Sequence, residues 1–159
     1  MLNKEDFYSV VKKTPLVSVD FIIKNNGKIL LGYRNNNPAR GTYFTPGGVI
    51  FKDEKINEAI SRVLNDELGI DYNPIKNNIE FNGVFNHMYP NNFKDESFGT
   101  HYVCLSYIIN LDLPLYEYGI SVSDSQHDGI EWRSIETIIN SNDVHPLVKE
   151  MVNYGRKII

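Results

Sequence analysis

Apolar and polar positions along the chain fall into short runs whose period changes several times. Residues 4–13, KEDFYSVVKK, predict a short helix that Thr14-Pro15 stops. Val17, Val19, Phe21 and Ile23 then alternate with Ser18, Asp20 and Ile22, the period of a strand, which puts Asp20 on its polar face. Asn26-Gly27 separates this run from Lys28–Tyr33, and an Asn-Gly pair between two apolar runs predicts a tight hairpin. Residues 34–48 carry no period and end in Pro46-Gly47-Gly48, which reads as a loop. A helix is predicted over 55–68, strands over 79–89 and 100–111, and a shorter strand over 129–133 leading into a helix near 134–141. His145–Arg156 reads as a closing helix, with Pro146 tolerated near its start. The order is mixed α+β, with hairpins flanking one central helix. No internal repeat or linker interrupts it, so the length predicts a single domain over residues 1–159.

The helix at 55–68 is the sharpest of these elements. Ile56, Ala59, Ile60, Val63 and Leu64 form one apolar stripe at about 100° per residue. Glu54, Glu58, Arg62 and Asp66 follow one another four residues apart on the other side, the pattern of a solvated face with weak helix ion pairs. Glu67 breaks the pattern, because it falls near the middle of the apolar stripe. A carboxylate there is exposed past the helix end, paired with a buried arginine, or bound to a hard cation through oxygen. The preceding Gly47-Gly48 allows backbone to approach a ligand closely, which suits a cation and diphosphate.

Composition narrows the partners. Twenty acidic against sixteen basic residues leave a net charge of −4, which excludes a nucleic-acid binder that works through clustered Lys and Arg. An apolar fraction of 42% suits a folded core rather than disorder. No apolar run approaches the roughly 18 residues of a membrane span, and the amino-terminal residues show no signal-peptide pattern. Cys104 is the one cysteine and reads as core, so no internal disulfide forms and a reducing cytoplasm is the expected location. The four histidines lack zinc-site spacing, and His101 and His145 read as structural. Five arginines in the chain make Arg34 and Arg40 stand out, and the span Gly48–Ile70 holds five acids and three bases.

From Gly48 to Ile70 the chain resembles the Nudix box, the motif of a large family of hydrolases, through Gly48, Glu54, Arg62, Leu64, Glu67, Gly69 and Ile70 at the family's spacing. Two positions depart. Val63 stands where the first glutamate after the arginine is usual, and Asp66 replaces the next-to-last one. Outside the box, TPLVS, NNPARG, PGG, the stretch from Asn86 to Phe93, THYV and SQHD resemble the GDP-mannose mannosyl hydrolase subfamily, which also lacks that first glutamate.

The resemblance implies an α+β Nudix fold, a mixed β-sheet sandwiched between helices. It implies hydrolysis of GDP-mannose or GDP-glucose to GDP and free sugar, with water attacking the anomeric carbon and inverting it. His127 matches the general base, and an imidazole titrates near pH 6.5. Gly47 through its carbonyl, Glu67 and Gln126 match the ligands of one Mg²⁺, with Mn²⁺ as a substitute. Arg34 and Tyr102 match groups on the diphosphate, Asp20 a carboxylate near the sugar, and His87 a substrate-site histidine. Val49 replaces an arginine usual after Gly-Gly, and Arg40 is the candidate to reach the same phosphates. A homodimer is inherited from the subfamily. The readings left beside this one are a Nudix pyrophosphohydrolase that cuts a nucleotide sugar or ADP-ribose at phosphorus, and a non-catalytic nucleotide-binding module.

Overall fold

A computed structural model describes residues 2–120 and 129–156. In chain order the elements are α1 (Lys4–Lys13), β1 (Leu16–Asn25), β2 (Lys28–Tyr33), β3 (Tyr43–Phe44), β4 (Gly47–Val49), α2 (Ile56–Leu68), β5 (Ile79–Tyr89), β6 (Thr100–Leu111), β7 (Ile130–Ser134), α3 (Ile135–Asn140) and α4 (Pro146–Arg156). Short 3₁₀ turns at Asn73–Asn78 and Leu115–Tyr118 join α2 to β5 and follow β6.

The strands form one mixed sheet in the order β3-β2-β1-β6-β5. β1 runs parallel to β6 along its whole length, and the other pairs are antiparallel. The Asn-Gly hairpin forms as predicted, with both turn residues at positive φ (Asn26 at 49°, Gly27 at 73°), as its sharp twist requires. β1 shares its second edge between two partners. Lys24 and Asn25 pair with β2, whereas Ser18–Asp20 pair with β4. β2 therefore diverges from β1 and pairs instead with β7, and the fork opens a cavity.

Helices cover both faces. Ile60, Val63 and Leu64 of α2 bury against Val19, Phe21, Ile23 and Ile109 on one face. On the other, Ile138 of α3 and Val148, Met151 and Val152 of α4 bury against Ile22, Leu31, Phe85 and Ile108. This is the α+β sandwich that the resemblance implies. A central strand covered on both faces explains the first departure from expectation. Val17 is exposed while Ser18 and Asp20 are buried, because the covered face of β1 near its start is the polar one. Two further departures concern α2, where Ile56 is exposed and Glu67 is exposed although the helix continues to Leu68. Ile56 is the first residue of α2, and Glu67 borders the cavity beside Leu68, so position on the apolar stripe does not ensure burial at either end. The 34–48 loop also contains the short strands β3 and β4, too brief to show a period. Among the described residues no helix is long and apolar enough to cross a membrane.

Candidate functional site

The fork between β2 and β4 holds a cavity of about 550 Å³, within the range typical of small-molecule sites. Asp20, Arg34, Gly47, Glu67, His87 and Tyr102 all line it. Six separate segments thus bring six of the nine residues singled out from the sequence to one surface. Arg40 is exposed and stands outside this lining, so its expected reach to the same phosphates has no support from the fold. Gln126 and His127 lie outside the described residues.

Strand register explains the convergence. Asp20 faces Gly47 across β1 and β4, and His87 faces Tyr102 across β5 and β6. Glycine is required at 47. A Cβ there would sit 2.6 Å from Asp20 Oδ1 and 2.8 Å from the Val19 carbonyl. At Gly48 a Cβ would press on Val63 at 3.0 Å. The close approach of β4 to β1 and α2 therefore depends on the Gly-Gly pair.

Arg62 secures the turn that follows. Its Nε donates to Glu54 Oε1 at 2.7 Å, and its Nη2 donates to Glu54 Oε2 at 2.9 Å and to the Val49 carbonyl at 2.8 Å. Its guanidinium also lies 3.8 Å from the centre of the Phe51 ring. The Phe51 amide donates to Glu54 Oε2, and the Glu54 carboxyl is held below its usual range chiefly by the bond from Arg62. Glu54 and Arg62 thus clamp the loop between β4 and α2, a stronger role than the solvated ladder predicts. Glu58, by contrast, is exposed and caps the helix start at the Lys55 amide. Asp66 is exposed and lies 3.9 Å from Arg62.

Burial governs the acid–base character of the floor. Asp20 is 6% exposed, and burial raises its carboxyl to about 6, with Ser18, Cys104 and the Arg34 charge partly opposing. His87 is 2% exposed, and burial, helped by the charge of His145, lowers its imidazole to about 4. His87 Nδ1 stands 3.8 Å from Asp20 Oδ2. With His87 neutral at pH 7, that approach is not an ion pair. Burial also raises the Tyr102 phenol, which keeps it protonated as a hydrogen-bond donor. Arg34 is anchored by donating from Nε to the Pro38 carbonyl at 2.8 Å, which leaves its terminal nitrogens for the cavity.

Sequence reasoning missed Tyr89, which lines the cavity beside Tyr102 with ring centres 6.2 Å apart, and Ser18, whose hydroxyl donates to Asp20 at 3.1 Å. Tyr89 depends on cross-strand register, which no local pattern shows, whereas Ser18 lies two residues before Asp20 on the same strand face, so the alternation was the signal that could have found it. His145 accepts from the Leu147 amide at the start of α4 and packs on Phe44, in keeping with its structural reading.

The oxygen donors on this surface, the Glu67 carboxylate and the Gly47 carbonyl, fit a hard divalent cation. They leave the rest of such a shell to water, substrate or further ligands.

Comparison with known proteins agrees with this fold. The low-salt glycan biosynthesis protein Agl8 of Haloferax volcanii is 38% identical over 108 residues, covering 68% of this chain and 67% of that protein. An ADP-ribose pyrophosphatase of Methanocaldococcus jannaschii is 43% identical over 56 residues, which are 35% of this chain and a third of the length of that enzyme (33%). The crystal structure of a MutT NUDIX hydrolase from Burkholderia pseudomallei superposes with a TM-score of 0.66 at 20% identity, covering 89% of this chain and 98% of the other. The NUDIX domain family model matches residues 14–154, a span that contains the whole sheet, α2 and the lined cavity, and the chain belongs to that family.

Proposed function

We propose that the cavity hydrolyses a GDP-sugar, GDP-mannose or GDP-glucose, to GDP and free sugar by attack of water at the anomeric carbon with inversion. The observation that carries this reading is the scarcity of carboxylates facing the cavity from α2. Glu67 lines it, whereas Val63, where the Nudix box has a glutamate, is buried in the core at 1% exposure. Cleavage at phosphorus in this family draws on several clustered divalent ions, and one carboxylate suits a single ion. The name of the relative Agl8 is in keeping with a sugar-handling role.

In this reading Glu67, the Gly47 carbonyl and Gln126 hold Mg²⁺, or Mn²⁺ in its place. The bound cation supplies a Lewis acid for the negative charge that gathers on departing GDP. The Arg34 guanidinium meets the same charge from within the protein, where a fork suits two phosphate oxygens. Tyr102 donates a hydrogen bond to the diphosphate. Asp20 and His87 orient the sugar from the buried floor. His127 takes the proton of the attacking water. The oxygen of that water bonds to the anomeric carbon, and the bond from that carbon to the phosphate oxygen breaks with its electron pair leaving on GDP. A homodimer in the cytoplasm belongs to the same reading.

Turnover of GDP-mannose with Mg²⁺ in ¹⁸O water tests the proposal. The expected result is ¹⁸O in the free sugar and unlabelled GDP. Label in a phosphate, with GMP and a sugar phosphate released, supports instead a pyrophosphohydrolase, the reading favoured by the ADP-ribose pyrophosphatase relative. Tight binding of GDP-sugars with no product of either kind overturns both and leaves a binding module.

A further inference from the structure

The floor of the cavity holds a second set of metal-ligating groups, chemically unlike the oxygen donors of Glu67 and Gly47. Cys104 lies at the centre of β6, opposite Ser18 of β1 and Phe85 of β5. Asp20 and His87 are two residues further along those strands, so all three side chains share one face as diagonal neighbours. Each of the three is buried, and one donor atom from each lies within 4.8 Å of the others. The tetrahedral zinc bond lengths for sulfur, nitrogen and oxygen require ligand separations of about 3.5 Å. The 3.8 Å between His87 Nδ1 and Asp20 Oδ2 already approaches that value.

The imidazole is the second, independent sign. His87 is 2% exposed, yet its Nε2 has no hydrogen-bond partner among the described residues, and its Nδ1 stands beyond hydrogen-bond range of Asp20. Phe44 meets the ring edge to face at 5.8 Å and offers no acceptor. A buried imidazole this poorly hydrogen-bonded is uncommon, and Nδ1, the nitrogen nearer Asp20, is free to ligate a cation held by the carboxylate and the thiol.

We propose that Cys104, His87 and Asp20 form a binding site for a soft or borderline divalent cation of the Zn²⁺ or Co²⁺ class, with a fourth position open to the cavity. Asp20 and His87 line the cavity and Cys104 lies behind them, so the ion enters from the cavity side. On binding, the thiol proton leaves to solvent and sulfur ligates as thiolate. Thiolate and imidazole select against Mg²⁺, whereas carboxylate and carbonyl oxygen accept it, so the two sites sort cations by ligand softness. This inference concerns binding alone; an ion held by Asp20 and His87 competes with the contacts that the proposed function gives them to the sugar.

The test is a Co²⁺ titration of the full chain, read by absorption, with circular dichroism to verify folding. Cys104 is the single cysteine, so any sulfur-to-cobalt charge-transfer band has one source. The expected result is such a band in the near ultraviolet with intense tetrahedral visible bands. It saturates at one equivalent, is abolished by Zn²⁺, and persists in excess Mg²⁺. His87→Gln and Asp20→Asn each weaken cobalt affinity at least about tenfold, the floor set by losses from outer-shell changes alone. Absence of the band in the folded wild-type chain overturns the inference. So does displacement by Mg²⁺, or an unchanged midpoint in whichever of the two variants folds.

Discussion

Arg62→Met removes the clamp on the loop between β4 and α2 while keeping most of the side chain's apolar bulk. Three hydrogen bonds disappear, two to Glu54 and one to the Val49 carbonyl, together with the stacking on Phe51. Bonds to charged groups contribute roughly 1.5–3 kcal/mol each when well shielded. The side chains of Arg62 and Glu54 keep 27% and 13% exposure, so solvent screening reduces each bond to about 1 kcal/mol. The sum is a destabilisation of about 3 kcal/mol, or a Tm lower by about 6–12 °C for a domain of this size. Urea unfolding followed by fluorescence of Trp132, the single tryptophan, measures it. The sign of the pH dependence is also determined. Glu54 is held below its usual value in the fold, so its contribution is present above the unfolded carboxyl value of about 4.3 and is lost as pH falls through the folded one. The gap between wild type and variant therefore narrows in acid. Arg62→Lys recovers less than half of it, because an ammonium cannot span both carboxylate oxygens and the carbonyl. A variant within 1 kcal/mol of wild type at pH 7, or a gap that does not vary with pH, would refute the clamp.

Three further outcomes are expected. Gly47→Ala forces a Cβ into Asp20 and the Val19 carbonyl; it should lower Tm and reduce kcat at least about tenfold through the displaced site, checked by calorimetry and steady-state kinetics. Asp20→Asn should gain stability relative to wild type by about 2 kcal/mol between pH 4 and pH 7, seen in paired urea titrations. This follows because a carboxyl raised to about 6 by burial destabilises the fold increasingly as pH climbs from its unfolded value to its folded one, and a difference that does not vary with pH argues against a buried charge. Glu67→Gln should leave Tm nearly unchanged, since the side chain is exposed, while raising the Mg²⁺ concentration needed for half-maximal turnover at least about tenfold; unaltered Mg²⁺ dependence removes Glu67 from the ligand set.

What could be read from the sequence depended on how locally each feature is determined. Asn26-Gly27 specifies a hairpin because two adjacent residues accept positive φ. α2 was legible from the period of Ala59, Ile60, Val63 and Leu64, and the spacing from Gly48 to Ile70 identified the family. Glu67 could be marked as anomalous by the same period, but whether it was buried or exposed depended on the cavity that its end of α2 borders. Ile56 was misplaced because the first residue of α2 is exposed despite its place on the stripe, and Asp20 because alternation cannot tell a central strand covered on both faces from an edge strand wet on one.

Tertiary structure alone decided which polar groups meet. Asp20, Cys104 and His87 lie on three strands separated by long stretches of sequence, and only the parallel pairing of β1 with β6 and the antiparallel pairing of β5 with β6 sets them on one face. Arg34 and Arg40 differ by six positions, yet the first lines the cavity and the second faces solvent. The physical reason is common to all of these. Periodicity and turn chemistry act between neighbours in the chain, so a single sequence displays them, whereas strand order and register are set by the burial of both sheet faces at once. Desolvation of Asp20 and His87 follows from that burial, and with it the chemistry of the cavity floor.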